Sequence, residues 1–404
     1  MASVIEQIIH SQSIRTYFQP IVSVRKKAVV GAEGLARATE LGSGRPVSPL
    51  ALFQMAGREG QMLELDRLCR RKALESFHLL AARDPELLLF INLEVSVLDK
   101  AAGSWHLRNA VREANLNPAS IVIEINESAA ADMDQLKDFV ARYRDEGFLI
   151  ALDDLGVGYS NLQRWPVLRP DIVKVDRSLI EGLAENFYQQ EILKSVTALA
   201  RQTGTLVLAE GVEGELDVVA CMEMGVDLFQ GYFFGKPADP ASWNPEFVGR
   251  MTAESSVKCK ARVVQRMKQR RMDFEQHNNL ISGLIRRLGS AEAVHFDAVL
   301  KGAGSTSKLD CLYVLSSGGI QVTETIFPRN NYFNPRGSLF QPAHPGEDHS
   351  AKEYYYGLSD TGLRRFYTDP YVSLATGRLC RTLSQAFTHV SGSNYVICAD
   401  MKAA

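Results

Sequence analysis

Between Thr16 and Phe234, short apolar and β-branched runs alternate with longer amphipathic stretches. The runs are Tyr17–Val24, Ala28–Leu35, Leu87–Glu94, Ser120–Glu127, Phe148–Leu155, Asp171–Asp176, Thr205–Val212 and Asp227–Phe234. A parallel sheet buried on both faces produces near-continuous apolar strands, and the helices covering it supply the intervening 3.6-residue period. Eight such units in about 220 residues predict an α/β fold, a (β/α)8 barrel of the TIM type, in count and in length.

Each run turns polar towards its end, at Gln19, Glu33, Asn92, Glu124, the pair Asp153-Asp154, Lys174, Glu210 and Gln230. In a barrel the strand ends converge on one face, where barrel enzymes carry their chemistry. Five carboxylates in one ring cannot all stay ionised without a cation, because like charges at short range raise one another's pKa. Carboxylate and amide oxygens are hard ligands suited to Mg²⁺ or Mn²⁺, and no Cys or His competes with them. Acids around one lysine predict a metal-assisted hydrolase site, and two ions bridged by an aspartate suit a phosphodiester. The bland alternative is a ring of acids that ion-pair and do no chemistry, which keeps costly buried carboxylates without a use.

The residues at these positions carry a family likeness. Glu33-Gly34-Leu35-Ala36-Arg37 resembles the E-A-L-x-R signature of EAL domains. Further matches follow in order at Ile91-Asn92-Leu93, Glu124-Ile125-Asn126-Glu127, Asp153 to Ser160, Val173-Lys174-Val175-Asp176, Ala209 to Glu213 and Gln230-Gly231-Tyr232. The resemblance implies a cyclic di-GMP phosphodiesterase that uses two Mg²⁺ or Mn²⁺ ions and yields linear pGpG. Glu33, Asn92, Glu124 and Asp153 would hold the first ion, and Asp153 and Asp154, helped by Glu210, the second. Lys174 would orient or deprotonate the attacking water, with Gln230 in support. Arg37 would meet a substrate phosphate, Gln19, Leu35 and Asp176 would line the nucleotide groove, and Glu127 would pin the loop after the Asp pair. Four positions depart from the family pattern: Gly34 stands for the usual Ala, Asn126 for Thr, and Leu155 and Val157 for Phe and a small hydroxyl residue. That loop couples dimerisation to metal binding in the family, so a non-hydrolysing receptor for the same nucleotide is the alternative.

At 404 residues the chain is too long for one ordinary core, and its 46% hydrophobic and 23% charged residues are those of a globular protein. No run approaches the roughly 18 apolar residues of a membrane helix, and no export signal opens the chain, so a cytoplasmic protein without a membrane partner is expected. The six cysteines form no C-x-x-C pair and suggest neither zinc nor a disulfide framework. From Arg250 to Leu288, ten Lys and Arg face three Asp and Glu, in a chain whose formal net charge is −2. Nothing else supplies a basic face, which argues against DNA as a partner.

Within that basic stretch Val257, Val264, Met267, Phe274, Ile281, Ile285 and Leu288 fall on three- and four-residue steps, interrupted by Lys260, Arg271 and Asn278. Such a seam predicts a long helix, either packed on its own barrel or joining two copies in a homodimeric coiled coil. The expected domains are a barrel over 1–249, a linking helix over 250–289 and a smaller α+β domain over 290–404. The last contains strand-like runs at Leu312–Leu315, Ile320–Ile326 and Tyr395–Ala399. Its tyrosine-rich stretch at Glu353–Gly357 and the segment Asp369-Pro370-Tyr371 resemble a PAS or Cache-like sensory domain, giving an architecture of the YkuI type. The resemblance implies an unidentified small ligand or partner protein there. Tyr355, Tyr371 and Asp369 are placed to bind an amine and Arg364, Arg365 or Arg378 a carboxylate, against the reading that the tyrosines are core residues.

Overall fold

A hairpin sets the geometry of the first part of the chain. β1 (Ile14–Ser23) and β2 (Ala28–Thr39) are separated only by Val24–Lys27, too short a link for a crossover, so they pair antiparallel. The remaining strands are β3 (Pro46–Val47), β4 (Leu88–Leu93), β5 (Ile121–Ile125), β6 (Leu149–Leu155), β7 (Ile172–Val175), β8 (Leu206–Ala209) and β9 (Leu228–Gln230). β2 pairs with β4 in parallel, the parallel ladder continues through β9, and β9 returns antiparallel to β1, closing the ring. All eight expected runs are strands of this barrel. The sheet departs from a wholly parallel one at β1, which is antiparallel to both neighbours because a turn replaces its crossover helix.

The computed structural model describes residues 3–94, 105–126, 133–156, 161–303, 309–328 and 339–402. They divide into two compact units, Met1–Gln265 and Arg266–Ala404, and the helix Pro245–Ser290 contains the boundary. Among the described residues no helix is long and apolar enough to cross a membrane.

The barrel interior is built in layers. Ile21, Phe90, Val122, Ala151, Ile172, Leu208 and Leu228 form one buried apolar cluster, with one residue from each of seven strands. β2 contributes Gly31 at this level, where a Cβ would lie 2.8 Å from the Phe90 ring and 3.0 Å from the Leu88 carbonyl. Side chains alternate across a strand, so the residue two positions on faces the same interior. Two positions after the apolar layer stand Glu33, Asn92, Glu124, Asp153, Lys174, Glu210 and Gln230. On β1, which runs the other way, the equivalent is two positions before, at Gln19, directly opposite Glu33. Gln19 and Glu33 therefore lie in mid-strand, where sequence alone put them at strand ends. The outward-facing residues, such as Ile123 and Ile125 of β5, pack in the larger core against the surrounding helices.

In the second unit, β10 (Leu309–Ser316), β11 (Arg365–Tyr367), β12 (Tyr371–Val372), β13 (Leu379–Thr388) and β14 (Asn394–Lys402) form an antiparallel sheet in the order β10-β14-β13-β11, with β12 also on β13. One face packs Leu312, Val314 and Ile397 against Ile281, Leu284 and Leu288 of the long helix. The other packs Cys311, Tyr313 and Cys398 against Tyr354, Tyr355 and Leu358. The segment Ile320–Ile326 makes only isolated bridges to β10 in place of the expected strand. The Thr323 hydroxyl takes the Val314 N–H at 2.9 Å, a place a ladder carbonyl would fill. The helical seam also divides: Val257, Val264, Met267 and Phe274 are exposed, whereas Ile281 and Leu288 are buried core. Asn278, one of the polar interruptions of the seam, accepts from Arg365 Nη1 at 2.5 Å and Tyr367 Oη at 2.7 Å.

The contact of Gly31 with Phe90 is testable. Gly31→Ala is expected to cost about 1–3 kcal/mol in urea unfolding, the usual penalty of overpacking. Phe90→Leu in the same chain should recover part of that loss; strictly additive effects would show that the two residues do not share the layer.

Candidate active site

Lys174, on β7, stands at the centre of the polar layer and is only 1% exposed. Its ammonium contacts Glu124 Oε1 of β5 at 2.7 Å, Asp153 Oδ1 of β6 at 3.0 Å and Glu210 Oε1, just past β8, at 2.7 Å. On the β1–β2 side a second chain of contacts surrounds Glu33. Asn92 Nδ2 donates to its Oε1 at 3.0 Å, and Gln230 Nε2 donates to its Oε2 at 2.5 Å and to Gln19 Oε1 at 3.2 Å. Gln19 in turn donates to the Gly235 carbonyl at 3.2 Å, tying the segment after β9 to the site.

The charges here are mutually supporting. Burial favours the neutral form of Lys174, but Asp153, Glu124, Glu210 and Glu33 overcome it and hold its pKa well above 10.5. Burial likewise works against an ionised Glu33, and is outweighed by Lys174 and the hydrogen bonds from Gln230 and Asn92, so this carboxyl stays below its ordinary range. Glu124, wholly buried beside Glu33, is pushed well above 4.5 by burial and by that neighbour, with Lys174 opposing. Burial pushes Glu210 up to about 8 against the pull of Lys174. One lysine cannot balance this many acids.

The fit to a divalent cation follows from that surplus. Carboxylate oxygens of Asp153, Asp154 and Glu210 lie within 4.8 Å of one another. Glu124 Oε2 is buried and accepts no hydrogen bond from the described residues. Hard oxygen donors in such a cluster suit Mg²⁺, Mn²⁺ or Ca²⁺. Asp154 reaches the cluster through a left-handed backbone, φ 59°, with its N–H on Asp153 Oδ1 at 3.0 Å. Asn126 Nδ2 donates to Asp154 Oδ2 at 2.8 Å, and Arg164 Nη1 to the Asn126 carbonyl at 3.1 Å.

The other expected residues are distributed along the rim. Leu35 and Arg37 continue the inward face of β2 beyond Glu33, and the Arg37 guanidinium lies 5.5 Å from the Tyr17 ring centre. Asp176 caps the turn Arg177–Ile180, accepting from the Ser178 N–H at 2.8 Å. Glu127 and Val157 lie outside the described residues. Sequence reading missed the cavity of about 250 Å³ beside Asn92 and Leu35, floored by the buried pair Asp66–Arg70 at 2.5 Å. Two opposite charges four apart in the amphipathic helix Met62–Ala81 read as an ordinary solvent-facing pair.

A model of the EAL domain matches residues 2–237. The chain belongs to the EAL-domain family. It is similar to the uncharacterized EAL-domain containing protein YkuI of Bacillus subtilis, 26% identical over 383 residues that cover 91% of this chain and 90% of that protein. The YkuI crystal structure, in complex with substrate c-di-GMP and calcium, covers 100% of both chains with a TM-score of 0.80 at 24% identity, a likeness of fold. The probable cyclic di-GMP phosphodiesterase PdeB of Escherichia coli is 30% identical over 232 residues, 57% of this chain and 44% of PdeB. The BlrP1 manganese and cyclic di-GMP complex of Klebsiella pneumoniae matches with a TM-score of 0.50 at 30% identity, over 56% of each chain. These two EAL structures hold calcium and manganese, in keeping with the oxygen cluster of this one.

Two predictions test the electrostatics of this EAL site. Lys174→Met leaves three buried carboxylates without their shared counter-charge, and the metal-free protein should lose about 3–5 kcal/mol at neutral pH. Glu124 and Glu210, whose pKa values burial already raises, then lose the lysine that opposes the rise, so stability is present at low pH and lost as pH rises. Urea titrations at acid and neutral pH should show the difference, and millimolar Mn²⁺ should reverse it; a pH-independent loss would refute the account. Asn126→Ala, which removes one donor from Asp154, should weaken Mn²⁺ binding by about 10–100-fold in calorimetry with little change in unfolding midpoint.

Proposed function

We propose that this chain is a divalent-metal-dependent phosphodiesterase that opens cyclic di-GMP to linear pGpG. The observation that carries the reading is the intact polar layer: every barrel strand contributes a ligand, lysine or amide, and none is replaced by an apolar residue. Mg²⁺ or Mn²⁺ is the metal of this reading, two ions being held by Glu33, Asn92, Glu124, Asp153 and Asp154. Bound there, the ions would acidify water and neutralise charge on a phosphodiester.

The chain's own groups have distinct tasks. Lys174 donates to three carboxylates, an arrangement that suits orienting water and phosphate by donation. Glu210 anchors Lys174 and Gln230 fixes Glu33, so both are positioning residues. Gln19, Leu35, Arg37 and Asp176 form the nucleotide groove, and Glu127 supports the loop after the Asp pair. The protein works as a homodimer in the cytoplasm, and the second unit, a PAS or Cache-like sensory domain, regulates hydrolysis.

A receptor that binds without turnover is the second reading. The residue that follows the Asp pair, Leu155, is buried in β6, so this stretch is built with an aliphatic side chain where the family has Phe. Purified full-length protein incubated with cyclic di-GMP and either Mn²⁺ or Mg²⁺ is expected to release pGpG, with no release from Glu33→Ala. Lys174→Ala should lower kcat by on the order of 10²–10³, the scale for a lost transition-state donor. Tight nucleotide binding without conversion in either metal would replace the enzyme by the receptor.

A further inference from the structure

The second unit contains a cavity of about 140 Å³ whose lining includes Tyr313, Gln321, His349, Tyr354, Tyr371 and Asp400. Asp400 of β14 is 2% exposed. Its Oδ1 accepts from Thr382 Oγ1 at 2.7 Å and its Oδ2 from Ser373 Oγ at 2.9 Å, both neutral donors. Among the described residues no Lys, Arg or His pairs with it. The Cys311 thiol is a third, weaker donor to it. A carboxylate has about four acceptor positions, so these three partners leave it short of its full capacity.

Gln321 is 1% exposed and makes the second point of the site. Its Nε2 donates to the Thr323 carbonyl at 2.8 Å, the Ala343 carbonyl at 3.0 Å and Thr325 Oγ1 at 3.1 Å. Two carbonyl partners settle which end of the amide is nitrogen. Its Oε1 is buried and accepts nothing from the described residues. A buried acceptor left unpaired is unfavourable, and a donor in the cavity would remove that penalty.

The walls favour positive charge. Tyr354 and Tyr371 stack with centroids 6.3 Å apart, and Tyr313 meets Tyr354 edge-on at 6.1 Å, presenting aromatic groups that attract cations. His349 shares a 2.6 Å hydrogen bond with the Tyr354 hydroxyl, and burial lowers its pKa, so it remains neutral. The remaining charged lining residues are Glu347, Asp348 and Lys352, so acids outnumber bases around the cavity. Burial also raises the pKa of Asp400, with the two hydroxyl donors opposing, as expected of a carboxylate whose counter-ion is lacking. Of the groups the sequence offered for an amine, only Tyr371 lines this space. Asp369 is exposed, and Tyr355 gives its hydroxyl to the Ser317 carbonyl at 2.6 Å.

We propose that this cavity binds a small organic ammonium ion, with Asp400 as counter-charge and the Gln321 carbonyl as second acceptor. The volume is near the roughly 150 Å³ that holds a benzene-sized ligand, which bounds the occupant at about six non-hydrogen atoms. A metal ion fits less well, because hard cations ask for about six oxygen ligands.

Calorimetry on the full chain with methylammonium, ethanolammonium and 1,4-diaminobutane, in constant sodium chloride, tests the site. At least one should bind saturably, whereas ethylene glycol, the neutral counterpart, should not. Asp400→Asn keeps the shape and should weaken binding at least about tenfold. Ala375→Leu, at the half-buried wall, keeps Asp400 and fills the cavity; it should also abolish binding, and it decides the matter if the first variant does not fold. Absence of saturable binding by all three probes at tens of millimolar overturns the proposal. So does equal binding of ethylene glycol, or unchanged affinity in a folded variant. The readout does not depend on hydrolysis of any nucleotide.

Discussion

Everything in the first unit is arranged around one buried ammonium. Lys174 is held from three strands at once, by Glu124, Asp153 and Glu210, and each contact is 3.0 Å or shorter. Such a cluster is not a source of stability in itself, since desolvating several charges offsets most of their attraction. Its effect is one of constraint: the barrel can close only in a register that brings these acids to the lysine. The surplus negative charge that remains is what gives the site its affinity for divalent cations.

Strand alternation produces that convergence with few residues. A bulky apolar layer, relieved at Gly31 to admit Phe90, places the next inward residue of every strand at one height. The hairpin at Val24–Lys27 then brings Gln19 into the same layer from the opposite direction, against Glu33. Gln19, Asn92 and Gln230 are the neutral members: Asn92 and Gln230 donate to Glu33, and Gln230 also donates to Gln19. Glu33 is thereby held ready as an anion while Glu124 beside it is not, a contrast set by hydrogen-bond donors more than by distance.

Much of this was legible in the chain. Eight apolar runs ending in polar residues identify both the barrel and its acidic layer, because each strand is short and period-2 alternation leaves little choice of face. The direction of β1 was not legible: its apolar run resembles the others, and only the shortness of the turn after it distinguishes a hairpin from a crossover. Asp66 and Arg70 were hidden for another reason, since helical spacing shows which charges are neighbours but not whether a neighbouring strand covers them. Asn278 shows in sequence only as a polar interruption of the helical seam, because its partners, Arg365 and Tyr367, lie almost ninety residues away in the chain. Long-range polar pairs leave no periodic trace.

Two buried acids show how the same physics distinguishes different sites. Glu124 is compensated in part by Lys174, which it shares with Asp153 and Glu210, two members of a carboxylate cluster suited to a divalent cation. Asp400 is nearly as deeply enclosed, yet its donors are two hydroxyls and a thiol, and the space next to it is lined in large part by aromatic rings. A hard metal ion requires many oxygens, whereas an organic cation requires one counter-charge and polarizable walls. The composition of the surrounding wall, more than the buried charge itself, therefore decides which kind of cation each acid is built to receive.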